Sequence, residues 1–178
     1  LLDALEPVVS WTSTIRQVRT VPAGWAVGYG ATWIAPENGA TLAGVPVGYA
    51  DGYPLGLSSD PETNAPRSKM GIRLSDGVLA YAPVVGRVSM DQVVLDVSRI
   101  DDATPGMTVE VISKHRSGPT AIDDLARRGG SLSHLILCGI SHRVPRKYTV
   151  SESAASKTNA NLRSKPATPA GSPARATA

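Results

Sequence analysis

Short runs of β-forming residues, separated by clusters of turn residues, dominate the first 150 residues of this chain. Val, Ile, Thr and Tyr recur in the runs, and turn residues punctuate them, as in Ser75-Asp76-Gly77 and Thr104-Pro105-Gly106. Such spacing is typical of hairpins in a compact β-barrel or sandwich. The predicted strands lie at 8–21, 41–49, 70–74, 78–85, 92–97, 108–112 and 143–150. One break in the alternation of the first run predicts a bulge.

Two short helices are predicted near the C-terminal end of this β-rich region. Residues 120–123, Thr-Ala-Ile-Asp, form a capping-box-like start, and Gly129-Gly130 is expected to end the first helix. Ser131 or Ser133 is expected to cap a second helix that runs through Cys138. Residues 57–69, with two prolines and many polar side chains, are predicted to form an exposed loop. The predicted fold class is therefore mainly β: a compact β-barrel-like domain with two short helices.

The positive charge of the chain belongs to its last 28 residues. The 178 residues carry a formal charge of +3, and residues 151–178 hold four basic side chains and one acidic one. This Ser/Ala/Pro-rich segment cannot bury a core, so we predict a domain at 1–150 followed by a disordered basic tail at 151–178. Because residues 1–150 are neutral and lack a basic helix, nucleic-acid binding is not expected. No apolar stretch approaches the roughly 20 residues of a membrane span, so no membrane partner is expected either.

Cysteine and histidine usage excludes several kinds of site. Cys138 is the single cysteine, which is typical of a cytoplasmic protein, and its apolar neighbours predict a buried structural thiol. His115, His134 and His142 are scattered, so no metal site is predicted. Phosphate-binding glycine loops and dinucleotide fingerprints are absent from the sequence.

Tyrosines flanked by glycine are the most unusual feature of the chain. Gly28-Tyr29-Gly30 and residues 48–53, Gly-Tyr-Ala-Asp-Gly-Tyr, place phenol groups on backbone with small neighbours. Small neighbours allow another molecule to approach closely. The alternative interpretation is that the glycines bend barrel strands and the tyrosines fill gaps. Arg87, in the third dense segment at 86–91, either binds a carboxylate or pairs with Asp91 or Asp96.

Four segments in order resemble the C-terminal domain of the alanine racemase family. They are 27–33, Val-Gly-Tyr-Gly-Ala-Thr-Trp; 46–54, Pro-Val-Gly-Tyr-Ala-Asp-Gly-Tyr-Pro; 85–92, Val-Gly-Arg-Val-Ser-Met-Asp-Gln; and 140–146, Ile-Ser-His-Arg-Val-Pro-Arg. The resemblance implies a homodimeric enzyme that depends on pyridoxal 5'-phosphate (PLP) and interconverts L-alanine and D-alanine, supplying D-alanine for peptidoglycan precursors. The cofactor is expected on a lysine of an N-terminal barrel domain, which this chain lacks.

The resemblance also implies roles for individual residues. Tyr29 matches the tyrosine base that acts on L-alanine in the partner subunit's active site. Met90 matches the residue whose main-chain N–H binds the substrate carboxylate, and Tyr49 matches a wall and gate residue of the site. Arg87 and Ile140 match residues of the substrate access corridor. A phenol has an ordinary pKa of about 10, so such a base needs nearby cations, which the barrel supplies in the family.

Two positions depart from the family pattern. His142 stands where many members have a tyrosine that contacts the cofactor phosphate; imidazole also donates hydrogen bonds, so His142 is a candidate cofactor-binding residue. Leu55 stands where an arginine is common in the access corridor.

Three functional hypotheses follow from the sequence. The first is that this chain is the C-terminal domain of an alanine racemase and is inactive alone, with the barrel encoded upstream of Leu1. The second is a stand-alone β-barrel module for binding or assembly, without catalysis. The third is the same fold racemising serine or another small amino acid.

Overall fold

The computed structural model describes residues 6–149 of the chain, and β-strands account for most of its regular structure. The described strands are β1 Trp11–Thr14, β2 Gln17–Val21, β3 Ala26–Val27, β4 Trp33–Ile34, β5 Ala40–Val45, β6 Lys69–Arg73, β7 Leu79–Val85, β8 Val93–Asp96 and β9 Thr108–Ile112. The helices are α1 Ile122–Arg128 and α2 Ser133–Gly139, and short 3-10 turns lie at Tyr29–Ala31, Tyr49–Asp51 and Leu55–Leu57. The predicted mainly β class with two helices near its end is confirmed. The predicted tail at 151–178 lies outside the described residues.

Seven strands form one curled antiparallel sheet in the order β1-β9-β6-β7-β8-β5-β2. Its two outermost strands, β1 and β2, are consecutive in the chain and are joined only by Ile15 and Arg16. The Ile15 N–H donates to the Met107 carbonyl at 3.0 Å, and the Arg16 N–H donates to the Gly44 carbonyl at 2.8 Å. The chain therefore passes from pairing with β9 to pairing with β5 within one residue. This change of partner strand, and not the predicted bulge, accounts for the break in the alternation of apolar and polar residues. The barrel-like curl is confirmed, although the predicted single strand at 8–21 is two strands.

Two apolar cores hold the sheet and its flanking hairpin in place. The main core contains Ile15, Leu95 and Val109, all fully buried, and helix α1 contributes Leu125 to it. The second core lies beneath the β3–β4 hairpin and consists of Val21, Val27, Trp33, Ala35, Ala40, Leu42 and Val85. Val27 and Trp33 are paired across the hairpin, and burying such side chains contributes about 1.5–3 kcal/mol each. This anchoring fixes the two ends of the loop that carries Tyr29.

The polar segment between β5 and β6 is less exposed than the sequence predicts. It lacks strands and α-helices, as expected, but Ser59, Ser68 and Leu57 are buried. The Tyr53 hydroxyl donates to Ser68 Oγ at 3.1 Å, and Ser68 Oγ donates to the Leu57 carbonyl at 2.9 Å. Burial also raises the pKa of the Tyr53 phenol. Because these polar groups are hydrogen-bonded, they can be buried at little cost, and the prediction of exposure is wrong for them.

Both helices lie near their predicted positions, but their N-termini are not capped as predicted. Helix α1 begins after Ala121 and ends at Gly129, and no side chain caps it. The Thr120 hydroxyl donates instead to Glu110 Oε1 at 2.6 Å, deep in the fold. Ser133 Oγ donates to Asp123 rather than capping α2. Tertiary partners thus replace the local capping bonds.

Two other predictions about the C-terminal part are wrong. Cys138 is exposed, because Ile136 is the buried residue of α2 and a residue two positions away faces elsewhere on a helix. No strand forms at 143–149, where a turn is followed by irregular chain from Pro145, which has no N–H for a ladder. Among residues 6–149, neither helix is long and apolar enough to cross a lipid bilayer.

Candidate active site

The glycine-containing segments 27–33 and 85–92 cross each other with their backbones in contact. A Cβ atom placed on Gly28 would lie 2.8 Å from the main-chain nitrogen of Arg87. A Cβ atom on Gly86 would lie 2.7 Å from the carbonyl oxygen of Val27. Both glycines have left-handed backbone, with φ of 75° and 76°. Glycine at these positions is therefore required both by the close approach and by the conformation.

The Tyr29 turn, Tyr29–Ala31, projects its tyrosine away from the body of the domain. Gly28, Gly30 and Ala31 all have positive φ, so the chain reverses on both sides of Tyr29. Ala31, with φ of 49°, is a non-glycine residue held in this sterically costly region. Tyr29 is 73% exposed, and its hydroxyl has no hydrogen-bond partner among residues 6–149. The strained backbone of this turn and the buried β3–β4 hairpin that carries it together hold the Tyr29 phenol in an exposed position.

The Tyr49 turn, Tyr49–Asp51, docks directly onto the Met90 turn at residues 89–92. The Tyr49 N–H donates to the Ser89 carbonyl, and the Ala50 N–H donates to the Met90 carbonyl, each at 3.0 Å. A Cβ atom on Gly48 would lie 2.1 Å from the Met90 carbonyl oxygen, so only glycine allows this approach. The two turns therefore form one rigid unit, with the Tyr49 ring about half exposed.

Arg143, from the fourth segment, joins these two turns through their carboxylates. Its guanidinium lies 2.6 Å from Asp91 Oδ1 and 3.4 Å from Asp51 Oδ1. Asp51 Oδ2 in turn accepts the Gly48 N–H at 2.9 Å. The hydrogen bond to Asp91, together with the nearby charge of Asp51, raises the pKa of the Arg143 guanidinium. All four segments are thus linked, and the carboxylate beside Met90 is paired with a cation.

A depression of about 360 Å³, here called the Tyr29 pocket, lies between the Tyr29 turn and the Met90 turn. It is lined by Gly28, Tyr29, Ser89, Met90, Asp91 and Gln92. Met90 is 51% exposed, and within the described part of the chain its N–H donates to no acceptor. A free main-chain donor beside an exposed phenol is suited to binding a small anion next to an acid–base group. No described lysine lines the pocket.

The predicted site residues fall into two groups. Tyr29 and Met90 share the pocket, and Tyr49 contacts the Met90 turn through its backbone. Arg87, Leu55 and His142 are exposed, and Ile140 is partly buried.

The surface pairing considered for Arg87 is not observed: Asp91 pairs with Arg143, and Asp96 accepts from Ser98. In the part of the chain that the structure covers, no three His, Cys, Asp or Glu residues are grouped to hold a metal ion.

Two serines that the sequence does not predict as site residues hold the Arg87 segment. Ser59 Oγ accepts the Gly86 N–H, and Ser58 Oγ accepts the Val88 N–H, each at 3.0 Å. The two hydroxyls therefore bracket Arg87 from both sides. No local signal identifies them, because their partners lie 27 and 30 residues further along the chain.

Known proteins resemble this chain over most of its length. The family described as "Alanine racemase, C-terminal domain" matches residues 8–148. The alanine racemase of Halothermothrix orenii is 35% identical over 144 residues, which are 81% of this chain and 35% of that protein. The chain therefore spans about a third of the length of the relatives it matches.

Solved structures give the same result. The biosynthetic alanine racemase of Pseudomonas aeruginosa superposes with a TM-score of 0.68 at 34% identity, covering 82% of this chain and 36% of that one. The alanine racemase of Bartonella henselae, solved with covalently bound pyridoxal phosphate, superposes with a TM-score of 0.64 at 27% identity, covering 80% and 35%. The chain belongs to the family of alanine racemase C-terminal domains.

Proposed function

We propose that this chain is the C-terminal domain of a PLP-dependent alanine racemase, and that it supplies a base to the active site of the partner subunit in a homodimer. The reaction interconverts L-alanine and D-alanine, the latter a precursor for peptidoglycan. The observation that carries the proposal is the Tyr29 pocket: the exposed Tyr29 and Met90, whose N–H has no acceptor among the described residues, both line it, and no described lysine does. Such a site is half of a two-base centre and needs a second surface to complete it.

Tyr29 takes the α-proton of L-alanine in this proposal. Its exposure and its glycine neighbours let the ring reach across an interface that bulkier residues would block. The second base, on the opposite face of the α-carbon, returns a proton and gives D-alanine; by the family resemblance it is the cofactor lysine of the barrel domain. Positioned proton transfer of this kind contributes about 10²- to 10⁴-fold to the rate.

Met90 and its neighbours bind and orient the amino acid. The Met90 N–H donates to the substrate carboxylate, and Tyr49, fixed on the same rigid unit, forms a wall of the site. Arg87, held by Ser58 and Ser59, lies in the access corridor, where its exposed guanidinium attracts the carboxylate of incoming substrate.

The residues present fit a cofactor that is held mainly by another domain. When bound, PLP withdraws electrons from the α-carbon of its amino acid and so acidifies the α-proton. The described pocket has no lysine to carry it, whereas His142 is exposed and has an imidazole of the kind that can donate to its phosphate. We therefore expect the 178-residue chain alone neither to bind PLP covalently nor to racemise alanine. A lysine-imine absorbance band from this chain would contradict that expectation.

The decisive test uses the full-length protein that contains this chain and measures α-proton exchange in D₂O. L- and D-alanine have the same free energy, so Tyr29→Phe must lower kcat/KM equally in both directions, and racemisation rates alone cannot identify the base. The α-proton exchange of each enantiomer does identify the base. Tyr29→Phe should abolish deuterium incorporation into L-alanine, while D-alanine should still incorporate deuterium with retention of configuration. The absorbance of the cofactor should be unchanged.

Tyr81→Phe is the matched control, since Tyr81 is an exposed tyrosine on β7 that does not line the pocket. It should leave both exchange rates within twofold of wild type. Unchanged L-alanine exchange in Tyr29→Phe would show that the base is misplaced. If the full-length wild-type protein exchanges the α-proton of serine but not that of alanine, the substrate is serine and not alanine. If it exchanges neither, the chain is better explained as part of a binding module without catalysis.

A further inference from the structure

Asp91 creates an electrostatic problem for a carboxylate-binding site. It directly follows Met90, lines the same pocket, and its side chain is largely exposed. A carboxylate bound at the Met90 N–H would face the charge of Asp91 at short range. Two like charges 4 Å apart repel by about 1 kcal/mol even in water, and by more where solvent is excluded. The pocket therefore needs a cation at Asp91 if it is to bind an anion.

Arg143 supplies that cation. Its guanidinium contacts Asp91 Oδ1 at 2.6 Å and lies 3.4 Å from Asp51 Oδ1, so it faces the two acidic groups of these turns together. Arg87 does not do so, because among residues 6–149 it makes no ion pair with either carboxylate.

The contact is not needed merely to hold the turns together. The Tyr49 and Met90 turns are already joined by two main-chain hydrogen bonds, and Asp51 already accepts the Gly48 N–H. An exposed ion pair adds little to stability, typically 1 kcal/mol or less. The position of Arg143 is therefore better explained by its effect on the charge of the pocket than by its effect on folding.

We propose that Arg143 is a positioning residue that neutralises Asp91 and so permits the carboxylate of an α-amino acid to bind at the Met90 N–H. This inference rests on the proposed function, since it concerns the substrate of that same site. The carboxylate is common to both enantiomers, so Arg143 should affect L- and D-alanine alike. The shared group is also present in propionate, which lacks the amino group and serves as a binding probe.

The test measures steady-state kinetics and propionate inhibition in the full-length holoenzyme. Arg143→Gln should raise KM for L- and D-alanine about fivefold, with kcat within twofold of wild type, and should raise the inhibition constant of propionate by the same factor. The double variant Arg143→Gln with Asp91→Asn should return both constants to within twofold of wild type. A role that depends on the ion pair itself does not predict this rescue, since the second substitution removes a partner of that pair rather than restoring it.

Arg67→Gln is the control, because it breaks an ion pair with Asp60 outside the pocket, and the two arginine side chains are equally exposed, at 44% and 46%. It should leave both constants unchanged. If Arg143→Gln does not fold, the single variant Asp91→Asn tests the inference. In that variant the KM for alanine and the inhibition constant of propionate should stay the same or fall. An unchanged KM in a folded Arg143→Gln, a failed rescue, or a higher KM in Asp91→Asn overturns the inference while wild-type racemisation upholds the proposed function. Wild-type protein inactive on alanine overturns both.

Discussion

The backbone of Gly28 lies against the backbone of Arg87 so closely that a Cβ on Gly28 would come within 2.8 Å of the Arg87 nitrogen. This contact sets the position of Tyr29, the next residue, relative to the segment that carries Arg87 and Met90. The glycines of the Tyr29 motif thus act through geometry: they let two loops cross at a distance that no other residue permits.

Replacing Gly28 with alanine should therefore destabilise the domain by about 2–4 kcal/mol, since the left-handed strain of 1–2 kcal/mol is added to the clash with Arg87. Gly24→Ala is the control for strain, because Gly24 has nearly the same φ, 73°, and nothing within 4 Å of its Cβ. Urea unfolding of the 178-residue chain measures both. Equal losses in the two variants would show that the crossing contributes nothing.

The Ser59 hydroxyl stabilises the segment that carries Arg87 where it crosses the segment of Gly28. It is only 2% exposed and accepts the Gly86 N–H, so Ser59→Ala leaves a buried donor without a partner. We expect a loss of about 1–3 kcal/mol in the free energy of unfolding. Ser75→Ala, in an exposed turn, should change it by less than about 0.5 kcal/mol. A Ser59→Ala variant as stable as Ser75→Ala would mean that water replaces the hydroxyl.

Strands and turns could be predicted from the sequence because their signals are local. Turn residues such as Asp76 and Gly77 lie within a few positions of the strands that they connect, and the motif around Tyr29 is contiguous. The structure places Tyr29 and Met90 in one pocket, as their resemblance to the family implies, while their catalytic roles stay predictions.

The contacts that hold the site could not be predicted, because they join distant positions. Arg143 and Asp91 are 52 residues apart, and the interaction follows from the crossing of loops rather than from either sequence neighbourhood. The burial of Ser59 has the same origin: a polar residue in a Pro-rich segment is predicted to be exposed unless its remote partner is known. The prediction for Cys138 is wrong because an apolar run alone does not fix which face of a short helix is buried.

The ion pair between Asp60 and Arg67 makes one pH-dependent contribution to stability. The hydrogen bond from Arg67, with main-chain bonds from Thr63 and Glu62, lowers the pKa of Asp60 from 3.8 to about 2. Because the folded value is the lower one, the stabilisation is fully present above pH 4 and is lost as the pH falls from about 4 to 2. Wild type should therefore exceed Asp60→Asn in stability at pH 7, and the difference should shrink over that window in unfolding curves. A difference that is independent of pH would contradict the assignment.

Substitution of Gly48 tests whether the close contact between the Tyr49 and Met90 turns holds them together as one rigid unit. Its φ of −141° is open to any residue, so an alanine there introduces no backbone strain. Its Cβ would nevertheless meet the Met90 carbonyl oxygen at 2.1 Å, which must push the two turns apart and weaken the bonds from Tyr49 and Ala50. Gly48→Ala should cost about 1–3 kcal/mol and shift the Met90 amide resonance in ¹H–¹⁵N spectra.

Gly139 is the matched comparison for that variant. It lies at the end of α2 with nothing within 4 Å of its Cβ, and alanine is favoured over glycine in a helix by about 0.5–1 kcal/mol. Gly139→Ala should therefore stabilise the chain or leave it unchanged, and the Met90 resonance should not move. If Gly48→Ala behaves in the same way, the turns can separate without loss, and the Met90 N–H is not held in place by the Tyr49 turn.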